Sequence, residues 1–198
     1  MRTNYVLIDY ENVQPDSLNG LDADHYKVLL FVGASQGKLT FEVAEAMQRL
    51  GARAQYVKIA GNGSNALDFH IAFYVGHIAA EDATTYFHII SKDTGFDPLI
   101  QHLKSKKISV VRSKTIEDIP LLKAANSKSL PEKVAVAVAD LKRRGASKPR
   151  TVKTLSSTVS SLFQRQLPEA ELVELVGELQ RLGYVVAQEN KVTYDLPE

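Results

Sequence analysis

Five short runs rich in β-branched and aromatic residues, at 5–8, 28–32, 55–59, 87–90 and 108–111, alternate with longer stretches of helical periodicity at 38–50, 65–79, 96–104 and 116–124. No other feature constrains the fold as much. Strand, helix, strand repeats of this kind build a parallel sheet. The runs are apolar on both faces, as strands are when helices cover each side of such a sheet. The pattern predicts an α/β class chain, a parallel-sheet α/β/α sandwich.

The pattern changes after Lys123. Residues 124–130 are small and polar, and no buried-strand run follows. Three amphipathic segments come next, at 131–144, 152–163 and 169–182, then two short extended segments within 184–196 that turn at Glu189-Asn190. Three helices and a hairpin predict a small winged-helix-like α+β domain at 126–198, beside the sandwich at 1–125.

Charge and composition exclude more than they assign. The formal net charge of +1 gives no global basic excess, so a nucleic-acid surface has to come from local arrangement. With no cysteine in 198 residues, a disulfide framework, a zinc ribbon and a thiol nucleophile are excluded. Asp9 and Glu11 interrupt the stretch where a signal peptide would be apolar, and no run is long enough to span a bilayer. The expectation is a cytoplasmic protein with no membrane partner.

Chemistry concentrates in four aspartates. Asp9 closes the first strand and Asp93 follows the fourth, so both belong to the carboxyl edge, where open parallel sheets bind ligands. Turn initiation or helix capping is the plainer reading for either one alone. Asp68 resists that reading, because its helix is apolar nearly all round, with one mild polar stripe through His70, Tyr74 and His77. Asp68 lies roughly 200° from His70 and shares a row with Ala72 and Val75. A carboxylate on that side needs a cation or dense hydrogen bonding. Asp97 falls in the first turn of the next helix, where it either shares an ion with Asp93 or simply meets the helix dipole. Oxygen ligands without His or Cys favour Mg2+ or Mn2+ over zinc, and such a cluster suits phosphodiester hydrolysis.

Asp9-Tyr10-Glu11-Asn12 after strand one, Ala66-Leu67-Asp68 opening an apolar helix, and Ser91-Lys92-Asp93 with Phe96-Asp97-Pro98-Leu99 after strand four together resemble a PIN-like nuclease domain of the NYN type. The resemblance covers about the first 125 residues. It implies a metal-dependent ribonuclease with Asp9, Asp68 and Asp93 as the shared acids and Asn12 and Ser91 near the phosphate. The chain departs from the family's Ser-Gly-Asp-x-Asp-Phe at Gly95, where the second acid would stand. Either Asp97 takes that role or the domain binds nucleic acid without cutting it.

Weaker candidates surround this set. Glu11 is a possible extra acid, while Glu42 and Glu45 read better as a solvated helix face. Gly33-Ala-Ser-Gln-Gly-Lys-Leu has the wrong spacing for an NTPase loop, but Lys38 in it could meet a phosphate. Asn65 is expected near the site and Ser64 as a helix cap. The histidines show no zinc spacing. In the C-terminal part, Lys142, Arg143, Arg144, Lys148, Arg150 and Lys153 form a cationic stretch that either contacts phosphates or is an ordinary solvated turn. The helix after it carries Glu169, Glu171, Glu174 and Glu178, a charge that opposes groove docking and suits a protein partner. The leading expectation is an endoribonuclease acting on RNA rather than DNA, as a monomer or homodimer. The alternatives are a non-cleaving nucleic-acid-binding regulator and a structural adaptor.

Overall fold

A computed structural model of the chain describes residues 2–127, 129–163, 165 and 167–197, and divides it into two compact units, 1–118 and 119–198. The first unit holds β1 (Asn4–Asp9), β2 (Tyr26–Val32), α1 (Phe41–Leu50), β3 (Ala54–Lys58), α2 (Ala66–Glu81), β4 (Tyr86–Ile90), α3 (Phe96–Ser105) and β5 (Ser109–Ser113). All five strands pair in parallel, in the order β3-β2-β1-β4-β5. This is the expected sandwich. Leu7, Leu29, Phe31, Phe87 and Ile89 pack against Leu67, Ile71, Val75 and Ile78 of α2 and Phe96, Ile100 and Leu103 of α3.

Strand order reverses between β1 and β4, which makes that junction the switch point where chain ends splay apart and leave a crevice. Period-two alternation then decides what enters it. Leu7 and Ile89 face α2 and α3, so Asp9 and Ser91, two residues further along each strand, face the same way. The register Ile8↔Ile90 sets Asp9 beside Ser91.

Three helix starts differ from the expected ones. α1 begins at Phe41 rather than 38, because the Thr40 side chain accepts a hydrogen bond from the Val43 amide and caps it. Lys38 therefore lies in the preceding loop. The cap position of α2 is Asn65 and not Ser64; it takes a left-handed conformation (φ 61°) that asparagine tolerates, without a side-chain capping bond. The helix expected at 116–124 forms instead at Pro120–Asn126 (α4), with proline in its first turn. Ala124 of α4 is buried with the C-terminal core, so the division falls after Asp118 rather than after residue 125.

The second unit also contains α5 (Leu130–Arg143), α6 (Val152–Leu162), α7 (Glu169–Arg181) and the antiparallel pair β6 (Val185–Gln188) and β7 (Lys191–Tyr194). Leu141, Leu155, Val159, Leu175, Leu179 and Val185 form its core. Glu189, at φ 53°, opens the hairpin turn at the expected place. No helix among the described residues is long and apolar enough to cross a membrane.

One core group sets a pH limit. His88 in β4 is fully buried, its Nε2 2.9 Å from Asn4 Oδ1, and desolvation, then the charges of Arg2 and His25, lowers its pKa to about 3. The unfolded chain binds a proton near pH 6.5 that the folded chain refuses, so stability is present above that pH and is lost as pH falls toward 3. The urea midpoint should decline between pH 6.5 and pH 4, and decline less steeply in His88→Gln. Equal slopes would show that His88 does not set the acid limit.

Candidate active site

Asp9 is fully buried at the end of β1, and its carboxylate is held rather than free. Oδ1 accepts from the Asn12 amide (3.2 Å), while Oδ2 accepts from Asn12 Nδ2 (2.8 Å) and from Ser91 Oγ (2.8 Å). Asn12 and Ser91, expected beside the phosphate, are thus first of all the groups that orient Asp9. Ser91 Oγ also accepts from the Asp93 amide (3.1 Å), and Asp93 Oδ1 accepts from the Gly95 amide (2.7 Å). The turn after β4 is therefore tied to the end of β1.

Asp68 enters from α2, whose first turn reaches the same edge. It is half-buried, and its pKa is pushed up to about 6, first by desolvation and then by the charges of Asp9, Asp93 and Glu11. Those causes report the geometry: three acids from two other chain segments lie near enough to Asp68 for their charge to act on it. Glu11, a possible extra acid from the sequence, joins this group. Its carboxylate lies over Gly33, where an added Cβ would sit 1.7 Å from Oε1. The absence of a side chain at the end of β2 makes that room. Sequence spacing alone could not reveal it, because the register brings Gly33 there.

Asp97 does not join them. It receives two bonds from Arg112 on β5, Nε to Oδ1 at 2.8 Å and Nη2 to Oδ2 at 3.1 Å, and this pairing lowers its pKa. Such a fork-to-fork pair occupies both carboxylate oxygens. Arg112 Nη1 also donates to the Ser91 carbonyl (3.3 Å), so the pair braces the turn that carries Asp93. Gly95 offers no substitute acid. A Cβ there would stand 3.1 Å from Asp93 Oδ1, so an acid at 95 would crowd Asp93.

Asn65 stands at the start of α2, one turn from Asp68, and Lys38 is exposed in the loop after β2. That loop is fixed: Gln36 Oε1 accepts from the Gly33 amide (3.4 Å), Gln36 Nε2 donates to the Tyr10 carbonyl (3.2 Å), and Ser35 Oγ donates to Asn62 Oδ1 (2.9 Å). Of the polar stripe expected along α2, only His77 is exposed, beside Glu81. His70 turns back onto the Ala66 carbonyl (2.7 Å) and Tyr74 packs edge-on against Phe31, leaving Phe69 and Phe73 outward.

The profile of the PIN domain matches residues 3–113, which is the whole parallel sheet with its three helices. The chain belongs to the PIN domain family. PIN domains are typically nucleases that use Mg2+ or Mn2+, so the family carries hydrolysis of nucleic acid. No curated protein and no solved structure matches the chain. The donor chemistry of this PIN domain suits such ions, since Asp9, Glu11, Asp68 and Asp93 offer oxygen alone. Among the described residues, however, no three acids or histidines are drawn together as a ready-made coordination group. Asp9, Asp93 and Glu11 lie near enough to Asp68 for their charge to raise it, without forming such a group.

The cationic stretch of the second unit divides in two. Arg143 and Arg144 both bind Asp140, an acid that is buried on α5, so they neutralise an internal charge rather than present themselves to phosphates. Lys148 Nζ donates to the Gly145 carbonyl (3.0 Å) and lies over the Tyr194 ring. Lys142, Arg150 and Lys153 are exposed. The reason is an acid just outside the cationic run, Asp140, three and four residues before the two arginines.

Proposed function

We propose that the protein is a metal-dependent endoribonuclease of the NYN type, cutting phosphodiester bonds of single-stranded RNA in the cytoplasm. One observation carries the reading: Asp9, Asp68, Asp93 and Glu11 gather at the switch point of a PIN-domain sheet closely enough to raise Asp68. Asp9, Asp68 and Asp93 would hold Mg2+ or Mn2+, with Glu11 beside them. Such an ion, when bound, neutralises phosphate charge and makes water more acidic. Asn12 and Ser91 keep the Asp9 oxygens aimed at the crevice, and the Arg112–Asp97 pair keeps the Asp93 turn in place. Asp68, half protonated near pH 6, becomes a better ligand as pH rises, so cleavage should increase from pH 5 to pH 7. The second unit, with three main helices and a hairpin, supports a winged-helix module that contacts RNA through Lys142, Arg150 and Lys153 or a protein through the acidic α7.

Incubation of the full chain with Mn2+ and a panel of single- and double-stranded RNA and DNA tests this. Single-stranded RNA should be cut internally, and Asp93→Asn should reduce the rate by about a hundredfold or more. Equal rates for the two proteins would end the proposal. The second reading, a PIN domain that binds nucleic acid without cutting it, is favoured by Gly95 and by the spread of the acids. Calorimetry separates the two, because that reading expects no carboxylate-dependent uptake of metal.

A further inference from the structure

α2 carries an aromatic face that its place in the fold does not require. Phe69 is 70% exposed and Phe73 65%, one turn apart, although the opposite side of the same helix supplies Leu67, Ile71, Val75 and Ile78 to the core. Phe73 is not loose. It lies parallel to His77, 7° between planes and 5.8 Å between centroids, and edge-on to Tyr74 at 5.6 Å. Helical side chains in general lean toward the N-terminus, and the N-terminal turn of α2 carries Asp68, the residue before Phe69, at the edge where the charges of Asp9 and Asp93 reach it.

We infer that Phe69 and Phe73 form a stacking platform for the bases of a single-stranded nucleic acid whose backbone passes the acids. The inference rests on the nuclease reading above and adds a subsite to it. Two physical arguments select this occupant. Residues four apart rise about 6 Å along the helix axis, against about 3.4 Å per nucleotide in a duplex strand. The rings therefore match bases splayed apart in an extended strand rather than bases stacked in a duplex. The area argues against a second copy of the chain. Two phenylalanines about two-thirds exposed offer roughly 270 Å², whereas a stable interface needs about 800 Å² from each partner. A base needs only one ring face, and aromatic stacking accepts any base.

The test uses the full chain with Ca2+ in place of Mn2+ and a short labelled oligoadenylate, read by fluorescence anisotropy. The Phe69→Ala/Phe73→Ala pair should weaken binding by about tenfold per ring, with duplex RNA of equal length bound as before. A Phe69→Leu/Phe73→Leu pair, which keeps apolar area but no ring, should also weaken it. Cleavage of a dinucleotide, too short to reach the platform, should be the same in all three proteins under Mn2+. Unchanged oligoadenylate affinity in the alanine pair, with cleavage intact, overturns the platform alone. A wild-type dimer that the alanine pair splits in sedimentation overturns it in favour of a second copy. If the wild type binds no nucleic acid at all, the platform and the nuclease reading fall together.

Discussion

Asp68→Asn should lose about a thousandfold in cleavage rate and yet melt higher than the wild type in chelator at pH 8. Both effects come from one arrangement. Desolvation and the charges of Asp9, Asp93 and Glu11 hold the Asp68 carboxyl at about 6. An acid raised in the folded state favours folding when protonated, and that contribution fades as pH climbs from about 4 through about 6. At pH 8 the carboxylate is therefore a burden, which asparagine removes while keeping the shape. Because Asp68 is half exposed and screened, the gain is about 1 kcal/mol, or about 2–4 °C in a chain of this length. Mn2+ should reverse the order, stabilising the wild type and leaving Asp68→Asn nearly unmoved. A variant that melts lower in chelator would show that the acids do not repel one another there.

Asp9→Ala should have the opposite effect on the fold and the same effect on activity. This carboxylate is fully buried and its oxygens accept three hydrogen bonds, one of them from the buried Ser91 hydroxyl. Truncation leaves Ser91 without its acceptor and leaves a void between β1 and β4. Stability should fall by about 2–3 kcal/mol, the cost of an unsatisfied buried polar group and a lost charged acceptor. Urea denaturation in chelator measures it free of any metal contribution. A ΔΔG near zero would mean that Asp9 is dispensable to the fold and that Ser91 finds another partner. Together the two substitutions separate an acid that the fold holds in place from one whose charge costs the fold stability.

The sheet was readable because its signal is local. Each strand is a short apolar run, each helix has its period, and a strand buried on both faces cannot be written with many polar residues. Asp9, Asp68 and Asp93 were readable for the same reason, as charges placed against that pattern. Thr40, which shortens α1, and Asn65, which opens α2, were harder, because a cap depends on backbone conformation that several neighbouring residues could supply.

What the sequence by itself determined was the parallel sandwich, the order of its elements and the three aspartates at strand and helix ends. Tertiary structure alone decided which charges became partners. Arg112 lies 15 positions from Asp97 and takes it out of the acid group, Asp140 claims Arg143 and Arg144, and Glu11 enters because Gly33 leaves it room. Periodicity reports which way a side chain points relative to its own element. The charge it meets depends on strand register and helix placement, which no single segment encodes.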